Sequence, residues 1–305
     1  MKKEGKNFKI WGMSFSPLGD LIYGLPLLTY FEKKHPNSYK YWVIKKSCAF
    51  AAPIFFNHPL IDCIKITDNW KTYGDTDKQL MSQCDIVISE DFEHDRLDWY
   101  NYRSVIEETA YISGIRDFED VLTIEERKPK LVKWFDVGHE LQPNTWSKDY
   151  ISDLSFYENT IGIWPFPTGF KTHTGRRSPR IEWWAEFIKR EKENNLKILH
   201  YGRDDEPVIS TEENYIRMTK LSFFDQIRSC LATNLVIGTD SGPMCIMGAY
   251  QHKAIHLISN YLVNHNDNLF AFKPINDNSV TLLGQRGVEN ISVDALIKIV
   301  KDGEL

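Results

Sequence analysis

Residues 233–250 read Thr-Asn-Leu-Val-Ile-Gly-Thr-Asp-Ser-Gly-Pro-Met-Cys-Ile-Met-Gly-Ala-Tyr. Leu235, Val236 and Ile237 form a short apolar run rich in β-branched residues, the pattern of a strand buried on both faces. The Gly238–Pro243 segment cannot continue a strand, and the apolar stretch from Met244 to Tyr250 suits a helix. The unit therefore reads strand, tight turn, helix. Asp240 or Ser241 can cap the helix, Gly242 lets backbone approach a ligand closely, and Pro243 suits the first helical turn. The free N–H groups of such a helix start attract anions, phosphate above all. An ordinary capped βα turn would carry the same residues, so the stretch needs support from elsewhere in the chain.

That support begins at the other end. Phe8 to Met13 reads as a first strand, Ser14 to Asp20 as a loop, and Leu21, Ile22, Leu25, Leu28 and Phe31 recur at helical spacing. The spacing predicts a helix over 20–34 that ends before His35-Pro36, with a kink or a late start at Pro26. Strands are expected at Tyr39–Ile44, Ile61–Ile66 and Asp85–Ser89, and an amphipathic helix over 100–115. The second half repeats the alternation. It has strands at Thr160–Trp164, Lys197–Tyr201, Tyr215–Met218, Ala254–Ile258 and Val280–Leu283. Helices are expected from Ile181 to Ile188 and over 222–232 and 292–301. Alternation of this kind gives parallel sheets with helices on both faces.

Composition sets the outer limits. A chain of 305 residues is long for one core and suits two domains of about 150 residues each. The hydrophobic share is 42%, enough for sizeable cores, and the net charge of -5 argues against a protein held mainly by nucleic-acid phosphates. Five cysteines without a Cys-x-x-Cys pair read as reduced thiols, with no disulfide framework and no zinc site. The basic N-terminus is not followed by a long apolar segment, and no run of 18 apolar residues occurs. A cytoplasmic protein without a transmembrane segment is the expectation. Residues 127–158 lose the alternation and carry Pro129 and Pro143, so the boundary is placed near 155. The two domains are then 1–155 and 156–305.

The turn Asp240-Ser241-Gly242-Pro243-Met244 and its small-residue helix resemble the donor-binding signature of the heptosyltransferase-type glycosyltransferases, glycosyltransferase family 9. The first half is similar to that family in order and rough spacing. It has Gly19-Asp20 at the end of the first loop, Leu25-Pro26 in the following helix, His35-Pro36 after it, Tyr41-Trp42-Val43 in the second strand, and His58-Pro59-Leu60-Ile61-Asp62 before the third. One departure stands inside the signature: Cys245 occupies a position where the family usually has His, and a thiol is a weak donor.

The resemblance implies the α/β GT-B architecture, with two Rossmann-like domains facing a cleft. The N-terminal domain would bind an acceptor hydroxyl and the C-terminal domain a nucleotide-diphosphate sugar, ADP-heptose by family default. It implies an inverting, metal-independent transfer with no cofactor beyond that co-substrate. Asp20, beside Gly19, takes the role of general base. A sugar hydroxyl must lose its proton as it attacks, and a carboxylate within reach can accept it. A helix cap is the other role open to Asp20.

By the same resemblance, the basic loop 165–180, which could otherwise be a solvated loop, would supply the cation the leaving diphosphate needs. By alignment on Pro179 and Trp184 the family's Lys matches Arg176, and Arg177 or Lys171 could serve instead. Ser241, Gly242 and the N–H groups that follow would hold the diphosphate, with Asp240 binding sugar hydroxyls or fixing the turn. Pro243, Met244 and Cys245 complete that contact. Ser222 opens the helix near the nucleotide, and Arg203 and Glu206 follow a strand whose end commonly meets it. His94, Asp95, Arg96 and Trp99, in the charged aromatic run 89–100, are candidates for shaping the acceptor site.

Three other readings share these residues: an epimerase or phosphorylase on the same fold, a non-catalytic nucleotide-sugar binder that Cys245 would permit, and a transferase acting on nucleic-acid bases. The negative charge disfavours the last, and nucleic acid is not an expected partner.

Overall fold

The structure is a computed structural model and describes residues 9–12, 18–67, 74–88, 110, 114–133, 154–167, 177–259, 277–285 and 287–302, without the side chains of Trp11, Asp20 and Leu154. The chain divides into two compact units, Met1–Trp134 and Phe135–Leu305. The sequence reading put the boundary near 155, and most of the intervening stretch lies outside the described residues. Elements are numbered along those residues.

The first unit holds a four-stranded, all-parallel sheet of β1 (Lys9–Gly12), β2 (Tyr39–Lys45), β3 (Cys63–Thr67) and β4 (Ile86–Val87). Its order is β3-β2-β1-β4. The expected helix over 20–34 is two helices, α1 (Leu18–Tyr23) and α2 (Pro26–Lys34), broken where Pro26 takes the first turn of the second. Proline has no N–H to give a preceding turn, so it starts a helix more easily than it continues one. The predicted stripe is buried throughout: Leu21 and Ile22 are fully hidden, and Leu25, Leu28 and Phe31 nearly so. A 3-10 helix over Lys46–Phe55 follows β2. Then come α3 (Asp75–Met81) and α4 (Phe118–Val121). Of the helix expected over 100–115, Ala110 is the one helical residue described.

The second unit is a six-stranded parallel sheet: β5 (Thr160–Trp164), β6 (Lys197–His200), β7 (Tyr215–Arg217), β8 (Leu235–Thr239), β9 (Ala254–Ser259) and β10 (Ser279–Gly284). The helices are α5 (Ile181–Lys192), α6 (Phe223–Cys230), α7 (Gly242–Ala249) and α8 (Val293–Asp302). The strand order is β7-β6-β5-β8-β9-β10. Numbered within the unit this is 3-2-1-4-5-6, the doubly wound Rossmann order. β5 and β8 are buried along their whole length. One core of the unit gathers Ile161, Ile163, Ile237 and Leu257 from the sheet, Trp184 and Phe187 from α5, and Leu296 from α8.

Candidate active site

In a doubly wound sheet the chain leaves the first and fourth strands toward opposite faces, and a crevice opens at their carboxyl ends. In the second unit those strands are β5 and β8, paired in parallel from Ile161↔Leu235 to Trp164↔Gly238. Asp240, Ser241 and the start of α7 follow β8 directly. Returning from the segment after β5, the chain meets Ser178, whose buried Oγ donates to the Pro165 carbonyl at 2.6 Å. That bond pins the residue next to Arg177 to the end of β5.

The result is a contact across the switch point. Arg177 donates from Nη2 to Asp240 Oδ2 at 2.9 Å, with 29% and 24% of the two side chains exposed. Burial pushes the Asp240 carboxyl up, and the guanidinium opposes that without cancelling it. Ser241 is extended at φ -160 and ψ 157 and makes no side-chain cap to α7. Its Oγ is buried without a hydrogen-bond partner among the described residues, as is Thr239 Oγ1. The Ser241 carbonyl accepts from the Cys245 N–H at 3.1 Å, which closes the first helical turn. A guanidinium, an unpaired hydroxyl and the dipole-positive end of α7 thus stand around one turn, a setting suited to a phosphate group.

The deeper residues of the signature are buried. Met244 is 1% exposed and Cys245 is also buried. Met244 reaches β8 because Gly238 carries no side chain: a Cβ there would stand 2.5 Å from Met244 Sδ and 3.1 Å from Trp164 Cβ.

Two strands from Asp240, at the end of β6, other candidates are engaged locally. Glu206 is buried, accepting the Arg203 N–H at 3.0 Å and lying 3.0 Å from His200 Nε2. A carboxylate can only accept, so His200 carries its proton on Nε2, and Nδ1 accepts from the Tyr215 hydroxyl at 2.6 Å. Burial holds the His200 pKa down despite Glu206 beside it. Gly202, at φ +149, accommodates this closure, since a Cβ would stand 2.2 Å from the Glu206 carboxylate. Gln226, buried on α6, accepts the Gly202 N–H at 2.8 Å and donates to the Gly202 carbonyl at 3.0 Å. Arg203 pairs with Asp205 in solvent. Ser222 caps α6, accepting the Asp225 N–H at 3.1 Å.

Sequence reasoning missed His200, Tyr215 and Gln226. For Gln226 there was a signal, a polar residue one place before Ile227 on the buried side of a short helix. A lone His at a strand end gives none.

In the first unit, Gly19 and Asp20 lie on α1 after the end of β1, which pairs with both β2 and β4. The Asp20 side chain, Arg176, Lys171 and the run 89–100 lie outside the described residues. No helix among the described residues is long and apolar enough to cross a membrane.

No protein-family profile and no curated protein sequence matches the chain. Solved structures do. A glycosyl transferase family 9 protein from Veillonella parvula superposes with a TM-score of 0.71 at 15% identity, covering 98% of each chain. The Escherichia coli ADP-heptose lipopolysaccharide heptosyltransferase II gives 0.63 at 12%, over 98% of this chain and 100% of that one. The E. coli heptosyltransferase WaaC, solved with ADP, gives 0.54 at 11%, over 97% and 99%. At these identities the likeness speaks for fold, and the chain has the two-sheet, parallel-stranded GT-B fold of the family 9 heptosyltransferases.

Proposed function

We propose that the protein is a glycosyltransferase that moves a sugar from a nucleotide-diphosphate sugar to an acceptor hydroxyl. The observation that carries this is the Arg177–Asp240 pair beside the α7 N-terminus, at the switch point of a 3-2-1-4-5-6 sheet. Cationic and N–H donors at that place suit a diphosphate, and a diphosphate leaving group is what such donors stabilise. The fold neighbours include a heptosyltransferase solved with ADP, so ADP and ADP-sugars are the first donors to try.

In this reading the second unit binds the donor and the first unit the acceptor, a saccharide or another hydroxyl compound. Asp20 removes the acceptor proton, and a cation among Lys171, Arg176 and Arg177 neutralises the departing diphosphate. A single displacement inverts the anomeric carbon and needs no metal. Five free cysteines fit a reducing, cytoplasmic setting.

The test is a thermal-shift screen of nucleotides and nucleotide sugars with Mg²⁺ or with EDTA. A ligand specific to the native state raises the melting temperature as its concentration exceeds Kd. The expected result is a shift with one diphosphate nucleotide that EDTA leaves intact. Asp20→Ala should then lower turnover by about a hundredfold or more while nucleotide binding survives. Unchanged turnover removes Asp20 from the base role. Binding without transfer to any acceptor selects the non-catalytic reading that Cys245 permits.

A further inference from the structure

We propose that the Arg177–Asp240 ion pair is a latch, in which Asp240 holds the guanidinium at the switch point until a diphosphate takes it over. This rests on the donor-site reading above. Arg177 follows a long connection, and an unrestrained arginine side chain samples many rotamers. Two contacts remove that freedom, Ser178 tied to Pro165 at 2.6 Å and Arg177 bonded to Asp240 at 2.9 Å.

The holding contact is built to be exchanged. Among the described residues it uses one guanidinium nitrogen and one carboxylate oxygen. Guanidinium has five N–H donors in a planar fork suited to bidentate binding of phosphate, so a single bond leaves most of its capacity unused. Both partners are about a quarter exposed, so an incoming anion can reach the pair. A diphosphate brings more negative charge than one carboxylate and also meets the α7 N–H groups, which the side chain of the N-cap residue Ser241 leaves uncapped. The buried Ser241 hydroxyl, next in the chain to Asp240 and without a partner among the described residues, is a further donor that such a ligand would satisfy. Asp240 is thus a positioning residue. It keeps the cation in place, and its grip is a cost that the ligand must overcome.

Two opposite effects of Asp240 follow, and a mutant cycle separates them. ADP and inorganic pyrophosphate are titrated calorimetrically into the wild type, Asp240→Asn, Arg177→Gln and the double variant. The latch requires Asp240→Asn to tighten pyrophosphate several-fold, Arg177→Gln to weaken it about tenfold, and the double variant to match Arg177→Gln. If Asp240→Asn tightens binding equally with and without Arg177, the gain is plain loss of a negative charge and the latch is wrong. Unchanged or weaker binding in Asp240→Asn also overturns it.

A measurement on the wild type stands independently of how the calorimetric variants fold. The Arg177 Nε–H resonance, identified by its absence in Arg177→Lys, must shift on addition of pyrophosphate. A resonance that stays in place while pyrophosphate binds overturns the proposal. A wild type that binds neither ADP nor pyrophosphate overturns the donor-site reading and the latch with it, whereas binding that Asp240→Asn leaves unchanged overturns the latch alone.

Discussion

Both units lay their first four strands in the same order, 3-2-1-4, and they differ in how deeply those strands are hidden. In the second unit β5 and β8, Thr-Ile-Gly-Ile-Trp and Leu-Val-Ile-Gly-Thr, are buried at every position. In the first, β3 and β4 are mostly half-buried, with Ile66 44% and Val87 41% exposed. Strand position explains this in part: β5 and β8 each have a neighbour on both sides, whereas β3 and β4 are the outer strands of their sheet among the described residues. The sequences agree, since β3 alternates apolar residues with Lys65 and β5 carries no charge. Topology thus sets where a ligand site can lie, and burial sets how rigidly its loops are held. The Arg177–Asp240 pair stands at the end of the two most deeply set strands.

The largest effect should come from emptying the two cores. Trp184 on α5 is fully buried against Phe187 and Trp183, and Trp42 on β2 is equally hidden, packed near Phe55. Truncation to Ala should cost about 3–5 kcal/mol at each site. Trp184 should fall at the upper end, because its neighbours belong to the sixteen-residue cluster of the second unit. Urea unfolding of the two variants checks this, and a larger loss at Trp42 would break the contrast between the units.

Glycines should reverse that order. A Cβ on Gly12 would stand 2.8 Å from the Tyr41 carbonyl oxygen, which belongs to a paired strand and cannot move alone. A Cβ on Gly238 would meet Met244 Sδ at 2.5 Å, and a thioether can shift to another rotamer. Gly12→Ala should therefore destabilise by about 2–3 kcal/mol and Gly238→Ala by about 1 kcal/mol. Melting temperatures of the two variants decide it. Equal losses would mean that Met244 is as fixed as backbone, and α7 more rigid than the helix composition suggests.

These contrasts also mark what the sequence made legible. Periodicity located each strand among the described residues within two residues at its ends, because uninterrupted or alternating apolar runs have few other uses. It found the buried stripe of α1 and α2 and the weak point at Pro26. It did not find the 3-10 helix over Lys46–Phe55 or α3, the first an apolar run with no clear period and the second a polar helix that buries nothing. At the site, the turn after β8 was readable because glycine, proline and capping residues are local signals. The partner of Asp240 was not, since Arg177 lies 63 residues away and three basic residues competed for the role. Nor was the closure of Glu206 on His200, which depends on the exact end of β6 and on the Gly202 backbone.

The smallest effect sharpens the comparison through two glutamates of opposite habit. In the first unit Glu126 accepts from Lys33 at 2.7 Å and from Thr123, and these partners, Lys33 foremost, lower its pKa to about 2. Its contribution is present above the ordinary value near 4.5 and is lost as pH falls through about 2. In the second unit Glu191 is fully buried on α5; Oε2 accepts from Asn194 at 2.9 Å and Oε1 has no partner among the described residues. Burial raises its pKa, with Asn194 and Lys301 opposing. The sign is then reversed: the folded state favours the protonated carboxyl, so its contribution is full below about 4.5 and fades as pH rises through the raised value. Glu191→Gln keeps the shape and the acceptor for Asn194 while removing the charge. It should match the wild type near pH 4 and be more stable at pH 7, read from urea midpoints at the two values. A gain of the same size at both would mean that packing, not ionisation, separates the two side chains, and the buried carboxyl would cease to distinguish the second unit from the first.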